Sequence, residues 1–320
     1  MIELPSSDVG DLERLADWLE LCTLVDGEVS ASAVAEVLQS SALAGYDQSE
    51  FFQGDETFQD PDAFSEQDAA ERLTEMLWEQ CRGRAQLLGD AYPFDLGREM
   101  ASLRPDHRND VPGYLMLLLI DIGFYYNLGD LLAPSSDSSR LFEKIVEASH
   151  RGMLGGPCSR FGWPREPDWP TAIDDRIRRL GQELDLTTDN LTDKTDPNDK
   201  DRGLDVAGRA RMYDDQHGSY ALLTQCATGR TNWKDKKGEP SLTAWANIFQ
   251  WNALLMRAVA LPWRLTTGWD RKRTHQYFEA IVLDRPRLLD GNPDAFLSDD
   301  LKTQINAWCD PVVARLPVLT

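Results

Sequence analysis

Over the first 150 residues the apolar positions recur at helical spacing. Leu12, Leu15 and Leu19 mark one stripe, with Leu21 and Cys22 beside it. Ala70, Leu73, Met76, Leu77 and Cys81 mark another, behind Ser65 and the acids that follow it, which is the signature of a helix start. A short Ala/Val-rich helix over 30–38, a buried helix over 112–126 and an amphipathic helix over 138–149 complete a domain expected to be entirely helical. The acidic, aromatic-dotted stretch 47–63 reads as a loop.

Glycines at 152–156 mark a boundary, and residues 151–170 form a connector rich in Trp and Pro. Thr171-Ala-Ile-Asp174 has the form of a capping box. The helix behind it sets Ile173, Ile177, Leu180 and Leu184 on one face. After a polar loop over 186–199 the period changes. Residues 204–210 and 220–227 read as a hairpin around Asp214-Asp-Gln-His-Gly218. A buried helix over 242–255, a third strand over 258–265 and a helix over 273–283 follow. The expected division is thus 1–150, the connector 151–170, and a domain mixing helices and strands over 171–320.

Charge sharpens this division. The chain has a net charge of −21. Residues 1–150 hold 30 acids and 9 bases, whereas residues 151–320 hold 24 of each. The whole excess lies in the first half, so the second half, with basic clusters at 176–179, 234–237 and 271–273, remains open to a phosphate-bearing partner. Five cysteines are scattered without CxxC spacing and four histidines lack ligand spacing, which argues against disulfides and structural zinc. No basic start precedes an apolar stretch, and the most apolar run, 114–120, is too short for a membrane span. A cytoplasmic protein without a membrane partner is expected. Glycine-rich phosphate loops are missing, so the chain is not expected to be an ATPase itself.

The chemistry concentrates between 200 and 236: Asp201-Arg-Gly-Leu-Asp205-Val, then Thr224-Gln225-Cys226-Ala227, then Asn232-Trp-Lys234-Asp-Lys236. Phosphodiester hydrolysis needs a carboxylate-held divalent cation and a group that stabilises developing negative charge. Asp205 at the start of a strand is the best ligand, Gln225 offers its carbonyl oxygen from the neighbouring strand, and Lys236 or Lys234 supplies the ammonium. Each type also has an ordinary use. Asp205 can cap a turn, Gln225 can satisfy buried backbone, and the lysines can be a solvated face. Cys226 with His217 or His275 would make a thiol hydrolase, but a cysteine inside an apolar strand is more often a small buried hydrophobe.

The residues Gly203-Leu-Asp205-Val with Thr224-Gln225-Cys226 resemble the PD-(D/E)xK restriction-endonuclease-like superfamily, in its Mrr-type branch where a glutamine replaces the second acid. The resemblance covers roughly residues 170–285. It implies a central mixed sheet flanked by helices and a Mg²⁺- or Mn²⁺-dependent nuclease. Asp205 and Gln225 would hold the metal. The helix before the first strand often supplies a Glu, which matches Glu183. The lysine expected two residues after Gln225 is Ala227 here, so the resemblance implies either a lysine migrated to Lys236 or Lys234, or an inactive domain used for interaction or nucleic-acid binding. The same family habits point to DNA as substrate. They also point to a helicase, ATPase or sensor subunit as protein partner, and to a place in prokaryotic anti-phage defence.

Overall fold

The computed structural model is an α+β protein: helices come first, then a five-stranded mixed sheet flanked by helices. It describes residues 1–4, 12–40, 66–123, 125, 126, 128, 137–188, 191, 195, 196, 199–212, 214, 219–230, 232–249, 253–265 and 268–318. The acidic loop expected over 47–63, most of the hairpin turn 214–218, and His217 lie outside these residues. The chain divides into two compact units, Met1–Gly129 with Cys309–Thr320, and Asp130–Trp308.

The first unit packs helices α1 (Leu12–Asp26), α2 (Ala31–Ser40), α3 (Glu66–Leu88) and α5 (Pro112–Gly123), with the single-turn α4 (His107–Asp110) leading into α5. Every residue of α5 is buried, as its unbroken apolar pattern requires. No described helix is long and apolar enough to cross a membrane. Three acids of α1 are buried together and need an internal cation, which Arg84 provides. It reaches Glu13 at 2.5 Å, Asp17 at 2.7 Å and Glu20 at 2.8 Å, while Tyr92 and Tyr114 donate to Glu20. The expectation of an all-helical domain is corrected here. Strands β1 (Glu28–Ser30), β2 (Phe94–Leu96) and β3 (Met100–Leu103) form an antiparallel sheet in the order β1-β3-β2. Strands of three or four residues are too short to show an alternating pattern.

The second unit is built on the sheet β4-β5-β6-β7-β8. Strands β4 (Cys158–Arg160), β5 (Val206–Arg209) and β6 (Ser219–Cys226) run antiparallel, with Val206 opposite Thr224 as the hairpin reading requires. Strands β7 (Ala253–Ala260) and β8 (Ile281–Leu283) then add in parallel. Helix α6 (Asp137–Leu154) packs on β4, β5 and β6, and therefore belongs to this unit rather than to a domain ending at 150. Helix α7 (Ile173–Glu183) buries Ile173, Ile177 and Leu180 in a core with Phe161, Trp169, Leu204, Leu223, Trp245 and Phe249. A second core holds Ala227, Val259, Leu261, Trp263, Phe278 and Val282.

Several local expectations are corrected. The capping box does not form: α7 is preceded by Ala172 without a side-chain cap, and Asp174 accepts instead from the Thr195 hydroxyl. The helix expected over 242–255 is only α8 (Leu242–Ala246), and Ala253 already begins β7, so that strand starts earlier than the 258–265 reading. A short apolar run fits either period, and parallel pairing with β6 decides for strand. The helix expected over 273–283 is α9 (Gly268–Phe278), stopped at Glu279, whose φ of 50° is left-handed, before β8. Helices α10 (Arg285–Asp290) and α11 (Asp299–Ala314) complete the chain.

Candidate active site

The turn into β5 sets the geometry. Arg202 and Gly203 take φ values of 56° and 70°, and the Asp201 carboxylate accepts from the Gly203 amide at 3.0 Å. Left-handed backbone is least costly at glycine, and a side chain at 203 would also crowd Glu239, 3.0 Å from where a Cβ would stand. Asp201 therefore works as a turn builder. Asp205 follows immediately before β5: its carbonyl accepts from the amides of Phe161 at 2.7 Å and Gly162 at 3.0 Å, and its amide donates to the Thr224 carbonyl at 3.0 Å.

Asp205 as a whole is 6 % exposed. Oδ2 accepts from the Gln225 side-chain amide at 2.6 Å and from the Cys226 backbone amide at 2.7 Å. The predicted pair Asp205 and Gln225 is thus brought into direct contact, and the Gln225 Oε1 oxygen stays buried without a hydrogen-bond partner. Asp205 Oδ1 faces a second carboxylate that the sequence reading missed, Glu143 of α6. A Cβ built on Gly162 would collide with Glu143 Oε2 and stand 3.1 Å from Asp205 Oδ1, so both acids crowd one notch that only glycine leaves open. Burial drives the Asp205 carboxyl up to about 7, against the pull of the Cys226 amide. Burial likewise holds Glu143 well above the usual carboxylate range, with the Asp205 charge as the next cause.

Glu183, the acid expected in that position, is held elsewhere. It accepts from Ser159 at 2.5 Å and pairs with Arg179 at 2.8 Å. The reason lies in β4, too short to read from sequence. With β4 as the first strand of the sheet, the helix before it is α6, not α7. A signal for Glu143 existed: it sits among Leu141, Phe142, Ile145 and Val146, a carboxylate in an otherwise buried stretch of α6.

The two lysines separate. The Lys236 ammonium, 40 % exposed and 3.4 Å from Glu239, lies close enough for its charge to act on Asp205. Lys234 lies over the Trp233 ring at 5.7 Å. Trp233 itself stacks on Phe278 and abuts Trp263, which is packing rather than an open face. Ala227 is buried in the second core. Cys226 has its thiol pushed well above its ordinary range by burial, so it is not a ready nucleophile, and the His275 ring is bonded to the Ala280 carbonyl.

Among the described residues no group of three His, Cys, Asp or Glu side chains comes together to hold a metal ion. The donor set at the notch is instead two carboxylates and an amide oxygen. Mg²⁺ commonly takes one or two carboxylates, with waters and neutral oxygens filling the remaining positions. The unpartnered Gln225 Oε1 and two buried acids, of which Glu143 is raised by the Asp205 charge, fit a cation of that kind. Comparison with protein-family models, with curated proteins and with solved structures finds no match to this chain.

Proposed function

We propose that the second unit is a divalent-cation-dependent nuclease of the PD-(D/E)xK kind. The observation that carries this reading is the meeting of Glu143 and Asp205 at the Gly162 notch, with Gln225 bonded to Asp205 and the Lys236 charge nearby. Glu143, Asp205 and the Gln225 Oε1 oxygen would hold Mg²⁺ or Mn²⁺. The cation supplies charge neutralisation on the phosphate and a water that is acidic at neutral pH. Gln225 orients Asp205 from the side, so that Oδ1 is left for the notch. Lys236, on its short turn, donates to the oxygen on which charge develops. A mixed sheet flanked by helices is the architecture this family implies, and it supports the reading without deciding the chemistry. DNA is the favoured substrate. A helicase, ATPase or sensor subunit as partner, and a role in anti-phage defence, follow from the resemblance alone.

The test is cleavage of plasmid, single-stranded DNA and RNA with Mg²⁺ or Mn²⁺, comparing the protein with its Asp205→Ala variant. Cleavage lost in the variant supports the reading. Absence of cleavage by the unaltered protein on every substrate, with a cellular partner supplied, sinks it. Ala227 in the expected lysine position favours a second reading, an inactive endonuclease-like domain that binds nucleic acid or protein. Nucleic-acid binding that is unchanged by Asp205→Ala, without cleavage, would select it.

A further inference from the structure

The carboxylate pair already has a cation against it. Arg160, the last residue of β4, is 2 % exposed and brings Nε within 2.6 Å of Glu143 Oε2. The contact is an ion pair between two buried side chains. From its other side the guanidinium is anchored: Nη1 donates to the Pro164 carbonyl at 2.9 Å and to Glu166 at 3.2 Å. Glu166 is itself held by Lys144 at 3.1 Å. The arginine is therefore fixed by its own strand and the connector, and would stay in place if Glu143 turned to another cation. Its Nη2 nitrogen is buried with no acceptor, so the anchoring costs an unmade hydrogen bond that the ion pair offsets.

We infer that Arg160 is an internal counter-ion that competes with the divalent cation for Glu143, and so sets the cation concentration at which the site loads. This rests on the reading of Glu143 and Asp205 as cation ligands. Two buried carboxylates without a counter-charge form a strong cation trap, because like charges in a weakly screened interior repel over several ångströms. A fixed guanidinium removes about half of that attraction and adds repulsion toward an incoming ion. Arg160 is then a positioning residue of opposite sign to the usual kind, weakening ground-state binding while keeping Glu143 turned toward the notch.

The test is calorimetric titration of the full-length protein with Mn²⁺ at one fixed pH above neutrality, paired with the rise in melting temperature that Mn²⁺ produces. Arg160→Met should tighten Mn²⁺ binding about tenfold and enlarge the melting shift, by removal of one nearby positive charge. Arg160→Lys, which keeps the charge, should stay within about threefold of the unaltered protein. General damage to the fold would weaken binding, so the expected sign is itself diagnostic. Should Arg160→Met fail to fold, Arg160→Gln carries the test, since it keeps a nitrogen for the Pro164 carbonyl. Folded charge-removing variants that bind Mn²⁺ no more tightly than the unaltered protein overturn the inference. If Glu143→Gln abolishes Mn²⁺ binding while the Arg160 variants leave it unchanged, the cation site stands and only the counter-ion role falls. If the unaltered protein binds no Mn²⁺, both fall together.

Discussion

Replacing Asp205 by Asn should make the ion-free protein more stable while abolishing the proposed cleavage. Asn keeps the shape: its oxygen can accept from Gln225 and the Cys226 amide as Oδ2 does, and its amide would donate toward Glu143. The magnitude follows from the carboxyl itself. It titrates near 3.8 when free and at about 7 in the folded protein, with burial as the leading cause. Between those values the folded state holds the proton longer than the unfolded chain does. Stability from this group is therefore fully present below the free value and falls as pH rises toward 7, by about 1.4 kcal/mol per unit. Above neutrality the ionised carboxylate costs about 4 kcal/mol, of which a well-fitted Asn would recover about half or more. Urea unfolding followed by tryptophan fluorescence at pH ~5 and ~8 measures it: the gain should be about 2–4 kcal/mol at the higher pH and about 1 kcal/mol at the lower. Saturating Mn²⁺ should reverse the order, stabilising the unaltered protein alone. An Asn variant that is less stable at both pH values, or whose effect ignores pH, would refute the picture of a carboxylate strained by burial.

Five further substitutions separate the members of the site. Glu143→Gln should reduce cleavage about a hundredfold or more, whereas Glu183→Gln, whose acid is taken up by Ser159 and Arg179, should leave it within about threefold, both read from initial rates on plasmid. Lys236→Met should lower the rate by about a hundredfold, and Lys234→Met should leave it within about threefold, as single-turnover assays would register. Gly162→Ala places a methyl against Glu143 Oε2, so the folded variant should lose about tenfold or more in Mn²⁺ affinity, and equal affinity would mean the notch is not where the cation sits.

The hairpin of the second unit was legible because Leu204 and Val206 flank Asp205 behind Gly203, the apolar stretch 220–223 lies beyond the polar residues 214–218, and Val206 stands opposite Thr224. Asp205 and Gln225 could be paired for the same reason, as they start and end facing strands. Glu143 could not, because its approach to Asp205 depends on β4, a three-residue strand with Ser159 and Arg160 in it that carries no apolar alternation. Arg160 in a strand reads as a surface residue until Glu143 and the Pro164 carbonyl are known to surround it. The apolar stretch of 242–255 misled for a different reason. Its Leu254 and Leu255 belong to a strand whose pairing with β6 is set far away in sequence, at 219–226.

Among its contacts with the sheet, helix α6 presents two polar residues seven positions apart. Glu143 meets the notch, and the His150 ring bonds the Thr224 hydroxyl at 2.7 Å, one residue before Gln225. Seven residues are almost two full turns, so both side chains leave the same side of the helix about 10 Å apart along its axis. The helix is thereby keyed to β6 at one prong and to the notch beside β4 and β5 at the other, like a two-pronged plug, with its rotation and its axial position both specified. Loss of a single residue between the prongs would swing one of them away by about 100°. The spacing of 143 and 150 is then as much a part of the site as the identity of either side chain, and a length change in this helix would disarm the site without touching any residue in it.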